Sequence, residues 1–570
     1  MADQRARPGP RDRRPTIVVV DAEEAGRDRV EAELRARYAG DYDLALCTGP
    51  ESGITTLTDL SEAGVTVPLV LVASPGPAGC SDLLEAAEAL HPSSKRALLV
   101  EFGAWGDPQV AAEIRRGIAA GHADYYVLKP WRHGDELFHR SVTEFLYEFS
   151  RTNPNAEPRE FVVISERWSP RGHEVRHLLA RNGIPHVFYE AGSPDAERLV
   201  DGYGGTANAP MVVTPRGEVL VDPTDAELAQ QYGVATALTD ARVFDLVVVG
   251  AGPGGLAAAI SAASEGLSVL VIEREGIGGQ ASSSSRIRNY LGFSRGVSGA
   301  ELAQRAYQQA WAFGVEFVHM SEVTGMRELY GRYELDIGGH PSVIGCAVVL
   351  AMGVSYRRLD VPAIEELLGR GVYYGASVAE ARSLAGAEVH VIGGGNSAGQ
   401  AALHLARSAR HVTIVTRKPT LGSTMSSYLR QEIEGVGNIS TKFSCTLVNG
   451  SGDDHLRSVE LRDAAGRTER IPSDAVFLFI GGVPRTEWLP SFIVRDASGY
   501  VLTGNDVPEG GSDRVRTMFE TSAPGVFAVG DVRAGSVKRV ASAVGEGSIV
   551  VPHVTSHVAL TTATIEASAR

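Results

Sequence analysis

The chain has 570 residues, room for about three or four domains at roughly 100–200 residues each. It is 44% hydrophobic and 22% charged, an ordinary globular composition, and its formal net charge of −15 argues against a nucleic-acid partner. No apolar run approaches the ~20 residues of a membrane span. The basic first fifteen residues lack an apolar core. Arg13-Arg14 are followed only by Ile17 to Val20 before Asp21, too short for a signal segment, so this stretch reads as a tail. The cysteines, Cys47, Cys80, Cys346 and Cys445, are too scattered for a metal site or a C-x-x-C couple, which points to a cytoplasmic protein with buried thiols.

A first block, residues 15–150, opens with the apolar strand Thr16-Ile17-Val18-Val19-Val20 ending at Asp21. Runs at Pro68-Leu69-Val70-Leu71-Val72, Ala97-Leu98-Leu99-Val100 and Tyr125-Tyr126-Val127-Leu128 alternate with helix-like stretches, which predicts a parallel sheet with helices on both faces. Leu128-Lys129-Pro130 together with Asp21 resembles a response-regulator receiver domain, implying a doubly wound α/β fold. Receiver chemistry needs an acidic Mg²⁺ pocket and a phosphoacceptor aspartate after the third strand, because a metal must offset oxygen charge in phosphoryl transfer. Here that strand ends Leu71-Val72-Ala73-Ser74 with no acid, and the usual hydroxyl after the fourth strand falls near Val100. Only Asp21 and Lys129 remain, so the block is expected to be a scaffold that is never phosphorylated.

Residues 153–158 form a polar, proline-bearing linker. The second block, residues 159–236, carries the strand Phe161-Val162-Val163-Ile164, a helix-like run over 172–182 and the strand Pro185-His186-Val187-Phe188-Tyr189. Ala209-Pro210-Met211-Val212-Val213 and Gly217-Glu218-Val219-Leu220 follow. This β-α-β-β-β order resembles thioredoxin and glutaredoxin, with Pro210 at the position that family holds as a cis proline. Where that family places its redox cysteines stands Trp168-Ser169-Pro170-Arg171. Disulfide exchange needs a thiolate, so a docking or binding role is the reading.

The third block contains two glycine loops, each between a strand-like and a helix-like run. Phe244-Asp245-Leu246-Val247-Val248-Val249 leads into Gly250-Ala251-Gly252-Pro253-Gly254-Gly255. Gly250 permits the tight turn, Gly252 lets a pyrophosphate approach the backbone, and Gly255 allows close helix–strand packing, with the helix N-terminus facing the phosphates. The next strand ends at Glu273, 23 residues after Gly250, where a carboxylate can accept hydrogen bonds from an adenosine ribose. The second loop, Gly393-Gly394-Gly395-Asn396-Ser397-Ala398, follows Glu388-Val389-His390-Val391-Ile392. The same 23-residue count lands on Thr416, followed by Arg417 and Lys418. A neutral hydroxyl followed by two cations suits a ribose 2′-phosphate, so the second site is read as preferring NADPH over NADH. Near the end, Pro524-Gly525-Val526-Phe527-Ala528-Val529-Gly530-Asp531 is a strand ending in an acid suited to a flavin ribityl and phosphate region.

Across about 330 residues the third block resembles the thioredoxin reductase family of flavoproteins. The matching stretches are Gly250 to Gly255, Gly278-Gly279-Gln280, Asn289-Tyr290-Leu291-Gly292, the loop at Gly393, and Gly530-Asp531 with Lys538-Arg539-Val540. The resemblance implies FAD held by the first loop with Glu273, Gly279, Gln280, Asn289 and Gly353. Asp531 would meet the ribityl chain, and Arg539 and Val540 the ring by backbone contact. It implies NADPH at Gly393, Gly395, Asn396, Ser397, Ala398, Arg417 and Lys418. It further implies a homodimer and two Rossmann-like domains that rotate relative to one another: a split FAD domain over 241–355 and 487–570, and an inserted NADPH domain over 356–486. Ala351-Met352-Gly353 departs from the family, which usually has threonine between the small residues.

The family carries C-A-T-C just before the second loop, and its disulfide receives electrons from the flavin. Here Gly371-Val372-Tyr373-Tyr374 leads into Gly375-Ala376-Ser377-Val378, so the expected cysteines are Gly375 and Val378. Neither can be reduced. The expected function is an FAD-dependent oxidoreductase taking hydride from NADPH and passing electrons to a non-disulfide acceptor: a ferredoxin-like protein, a small molecule or oxygen. Two alternatives stay open. One is a flavin oxidase or dehydrogenase of a metabolite with a vestigial nicotinamide site. The other is a redox-sensing regulator whose N-terminal blocks bind a protein partner according to flavin state.

Overall fold

Alternate residues of the first strand, Thr16–Val20, pack into two different cores, which fixes a sheet covered on both faces. Ile17 and Val19 join Val30, Leu34, Phe138 and Phe145, whereas Val18 and Val20 join Leu57, Leu83 and Leu84. The computed structural model describes residues 14–569 except 74–79, most of 102–121, 132, 153–160, 183, 185, 204–208, 216, 232–237, 239–241, 285, 295, 376–383 and 509–514. The predicted linker at 153–158 and the position of Val378 lie outside the described residues. By its contacts the chain divides into two units, Met1–Glu157 and Pro158–Arg570.

In the first unit five parallel strands pair in the order 2-1-3-4-5: Thr16–Val20, Asp43–Cys47, Leu69–Ala73, Lys95–Val100 and Tyr125–Leu128. This is a doubly wound order whose switch point lies between the first and third strands. Asp43–Cys47 went unpredicted, since only two of its five residues are large aliphatics. At the carboxyl ends of the strands Lys129 Nζ lies 2.9 Å from Asp21 Oδ2, 3.3 Å from Glu101 and 3.7 Å from Glu23. Burial works against the lysine charge, but Asp21 and Glu101 outweigh it and hold the ammonium pKa above its ordinary value.

The second unit begins with a four-stranded mixed sheet, ordered His186–Glu190, Phe161–Ser165, Met211–Val213, Val219–Val221. Its helix Pro170–Arg181 is capped by Ser169, whose hydroxyl accepts from Gly172 N. No peptide bond among the described residues is cis, so Pro210 departs from the expected cis form; its carbonyl accepts from Asp222 N at 2.7 Å.

A seven-stranded sheet follows. Val243–Val249 lies between Val269–Glu273 and Val343–Leu350, all parallel, and Val526–Ala528 adds a parallel strand from the far end of the chain. Between them is a five-stranded parallel sheet of Val372–Tyr374, Ala475–Leu478, Glu388–Ile392, His411–Val415 and Ile439–Lys442, with a three-stranded antiparallel sheet alongside in sequence. The chain crosses between the larger sheets twice. The crossings pair with each other as Val354–Tyr356 against Gly482–Pro484.

Two histidines inside these cores carry a pH consequence. His319 stacks on Phe317, and His390 places Nδ1 2.9 Å from Ser473 Oγ. Burial pushes each imidazole down to about 4, with Lys442 adding to the effect at His390. Both are therefore neutral when folded and titrate near 6.5 when unfolded. Their stabilisation is complete above about pH 6.5 and is lost as pH falls toward 4. Each is expected to cost about 2 kcal/mol between pH 7 and pH 5. Thermal unfolding of His319→Phe at both pH values checks this, since the variant should show a smaller drop in Tm than the wild type.

Candidate functional site

Gly250 turns the chain out of Val243–Val249 with φ +104°. A Cβ on Gly255 would fall 2.0 Å from Gly250 O, so only glycine lets the helix Pro253–Ser264 start so close to the strand end. Glu273 ends the neighbouring strand and is buried. Its Oε2 accepts from Ala251 N at 2.7 Å, and its Oε1 from Glu275 N at 2.8 Å and Gly276 N at 3.1 Å. No Cβ contact within 3.9 Å arises above Gly252, and none within 4 Å at Gly353, so open space adjoins the loop where a pyrophosphate would lie.

The second loop is built alike with different chemistry. Gly393 has φ +145°, and a Cβ there would stand 2.5 Å from Phe479 O. The helix Asn396–Leu405 begins directly after it. Thr416 is buried at the matching strand end, its hydroxyl accepting from Lys418 N at 3.2 Å. The loop is closed by Thr424, whose hydroxyl donates to Gly394 O at 2.6 Å, and by Asn396, whose Oδ1 accepts from Ser426 N at 2.8 Å. Arg417 and Lys418 are exposed.

The first loop, and Asn396 and Ser397 at the end of the second, open on one cleft of about 510 Å³. From the first side it is lined by Gly250, Gly252, Pro253, Gly254 and Glu273, then by Gly279, Gln280, Asn289 and Gly353. Asp531, Arg539 and Val540 close that side. From the second side come Asn396 and Ser397. Gly255 packs beneath the loop, and Gly393, Gly395, Ala398, Arg417 and Lys418 lie off this cleft. Asp531 is half-buried; burial raises its pKa, Lys538 opposes and Glu546 adds, so the carboxylate suits a hydroxyl donor. Gln280 Nε2 donates to Val354 O at 2.5 Å, linking the short helix Gly279–Ser283 to the crossing strand.

Sequence reasoning missed several lining residues. Gln400, Ala401 and His404 continue the face of Asn396 and Ser397 at helical spacing, a signal that was available. Tyr356, Phe479, Trp488 and His177 carried none, because only tertiary packing brings them there. Tyr374 also lines the cleft. Burial and its hydrogen bond to Glu365 push its phenol up to about 12. At Gly375, φ is +80° and a Cβ would fall 2.6 Å from Tyr356 Oη.

The family model for pyridine nucleotide-disulphide oxidoreductases matches residues 244–547, more than half of the chain. The chain belongs to that family. Among pyridine nucleotide-disulphide oxidoreductases it is similar to the thioredoxin reductase of Treponema pallidum, 34% identical over 55% of this chain and 97% of that protein. The thioredoxin reductase of Bacillus subtilis is 31% identical over 56% of this chain and 96% of its own length. Of solved structures, the Lactococcus lactis thioredoxin reductase in its FR conformation superposes with a TM-score of 0.51, at 28% identity over 55% of this chain and 99% of that one. The T. acidophilum thioredoxin reductase gives 0.50 at 30% identity, over 55% and 98%. The C-terminal half is thus a thioredoxin reductase-like FAD/NAD(P) oxidoreductase domain, in a family that uses FAD and NADPH.

Glu273 provides the direct test of the cleft. In Glu273→Gln an amide N–H₂ must face backbone donors, leaving at least one of them unsatisfied at a cost of about 1–3 kcal/mol. Urea unfolding should move to lower concentration, and the flavin absorbance per protein after purification should fall several-fold.

Proposed function

We propose that this chain is an FAD-dependent oxidoreductase that takes hydride from NADPH and passes the electrons to a non-disulfide acceptor, a ferredoxin-like protein, a small molecule or oxygen. The observation that carries the reading is the shared cleft, lined both by the first glycine loop and by Asn396 and Ser397 of the second. When bound, the flavin supplies the chemistry of accepting a hydride and releasing two electrons. The chain supplies binding and orientation. The first turn of Pro253–Ser264 would present N–H groups to a pyrophosphate, and Glu273 would meet the adenosine ribose. Asp531 would receive the ribityl hydroxyls, and Arg539 and Val540, the N-cap and first residue of Val540–Ile549, would hold the ring through their backbone. Asn396 and Ser397 open the nicotinamide-side helix, while Arg417 and Lys418 await a 2′-phosphate. Tyr356, Phe479 and Trp488 wall the cleft with aromatic surface.

Two features support a non-disulfide acceptor. Gly375 and Val378 occupy the family's cysteine positions, and the space a side chain would need at Gly375 is taken by Tyr356. We assign the FAD domain to 241–355 and 487–570, the NADPH domain to 356–486, and a cysteine-free thioredoxin-like module to 159–236. Residues 15–150 would form a receiver-like module, whose Asp21 is already held by Lys129 and which could recruit a protein partner. A cytoplasmic homodimer completes the reading.

Anaerobic mixing with NADPH should bleach the flavin absorbance, whereas an unbleached flavin with NADPH bound would overturn the reading. Oxidised thioredoxin should not reoxidise the reduced enzyme. Replacing Arg417 and Lys418 together by alanine should lower the NADPH-to-NADH ratio of kcat/KM by about ten- to a hundredfold, the worth of one or two charge-assisted hydrogen bonds. Steady-state rates with both nucleotides measure it.

A further inference from the structure

The segment of the thioredoxin-like module that would carry cysteines is packed against the reductase. Trp168 stacks on His455, with ring centroids 4.8 Å apart and planes 6° from parallel. Pro170, first residue of the helix Pro170–Arg181, closes on Gly369, where a Cβ would lie 2.8 Å from Pro170 Cα. His173 lies 4.7 Å from the ring of Tyr373, which itself stacks on Phe477 at 5.1 Å in the core of the five-stranded sheet. All of these partners belong to the nicotinamide-side half.

The other end of the same helix meets the flavin-side half. Asn182 Oδ1 accepts from Ile277 N at 3.3 Å, and its side-chain amide stands 3.1 Å from where a Cβ of Gly276 would be. Gly276 N is itself bound to Glu273. Twelve helical residues span ~18 Å, so one rigid rod reaches from half to half. His177, between its ends, lines the cleft. Direct contacts between the halves include the Arg288–Glu432 ion pair and Gln400 Nε2 donating to Arg286 O at 3.4 Å. Such long, flexible side chains permit an angle between domains to vary, whereas a helix anchored at both ends restricts it.

We propose that Trp168, His173 and Asn182 are positioning residues: the helix between them braces the nicotinamide half against the flavin half, holding Asn396 and Ser397 across one cleft from the first glycine loop. The proposal rests on the reading of that cleft as an NADPH–FAD site. With no cysteine pair at Gly375 to bring to the flavin and carry away, rotation between the halves has no cargo, and a fixed orientation serves hydride transfer throughout.

The rate of flavin bleaching at saturating NADPH reads this directly. Trp168→Ala should slow it about tenfold through misplacement of the donor, with the NADPH concentration dependence unchanged, and Trp168→Phe should restore it by keeping the stack. Asn182→Ala should slow it in the same way, since it removes the anchor at Ile277 N while leaving the Trp168 stack in place. Hydrogen exchange gives a readout independent of turnover: Trp168→Ala should accelerate it around both His455 and Ile277. Wild-type bleaching in Trp168→Ala overturns the proposal, as does wild-type bleaching in Asn182→Ala. If the wild type itself fails to bleach, the functional reading falls and hydrogen exchange decides the brace, unchanged exchange in Trp168→Ala overturning it.

Discussion

The carboxylate of Glu273 is the tie on which the half carrying the first glycine loop depends. It ends one strand, gathers backbone N–H groups from the glycine loop at Ala251 and from the turn at Glu275 and Gly276, and is buried while doing so. Hydrogen bonds to a charged acceptor are worth about 1.5–3 kcal/mol each, so their number compensates the desolvation of the charge. The geometric consequence is larger than the energetic one. The loop that would face a pyrophosphate and the turn that receives Asn182 are fixed by the two oxygens of one side chain. Cofactor cradle and helix anchorage are thereby one structure.

The half carrying the second glycine loop solves the same problem without an acid. Thr416 takes the strand-end position and accepts from Lys418 N, while Thr424 and Asn396 close the loop through neutral hydrogen bonds. Neutral closure leaves the side-chain charges of Arg417 and Lys418 without a carboxylate at the strand end. That is the electrostatic setting a second phosphate requires and a glutamate would spoil. In the proposed reading, a difference of one side chain at equivalent strand ends separates the two nucleotide chemistries on a common backbone plan.

The glycine loops, their strands and the 23-residue step to Glu273 and Thr416 were legible because a βαβ unit is local and its geometry is set by covalent spacing. The single cleft was not, since it depends on how two separate sheets face each other. Strands with mixed polarity also escaped: Val323–Leu329 and Arg332–Ile337 pair as a half-exposed hairpin, whose alternation is diluted by charged residues on the open face. The trans state of Pro210 and the contact of Tyr356 with the Gly375 position were equally hidden. Each depends on partners brought in from elsewhere in the chain.

Replacing cysteines can leave either a gap or a new contact, and the two have different meanings. A gap costs stability in proportion to the lost packing and invites reversion, whereas a filled site commits its neighbours. Around both cysteine-bearing segments of the families this chain resembles, an aromatic ring stands in close contact. Trp168, at the start of one, is engaged by His455, and the Cβ space of Gly375 in the other is taken by Tyr356. A cysteine at 375 would meet both that phenol and a left-handed backbone, so restoring thiols alone would restore strain before chemistry. Packing at these two points holds Trp168 against His455 and sets Tyr356 where a side chain at 375 would stand.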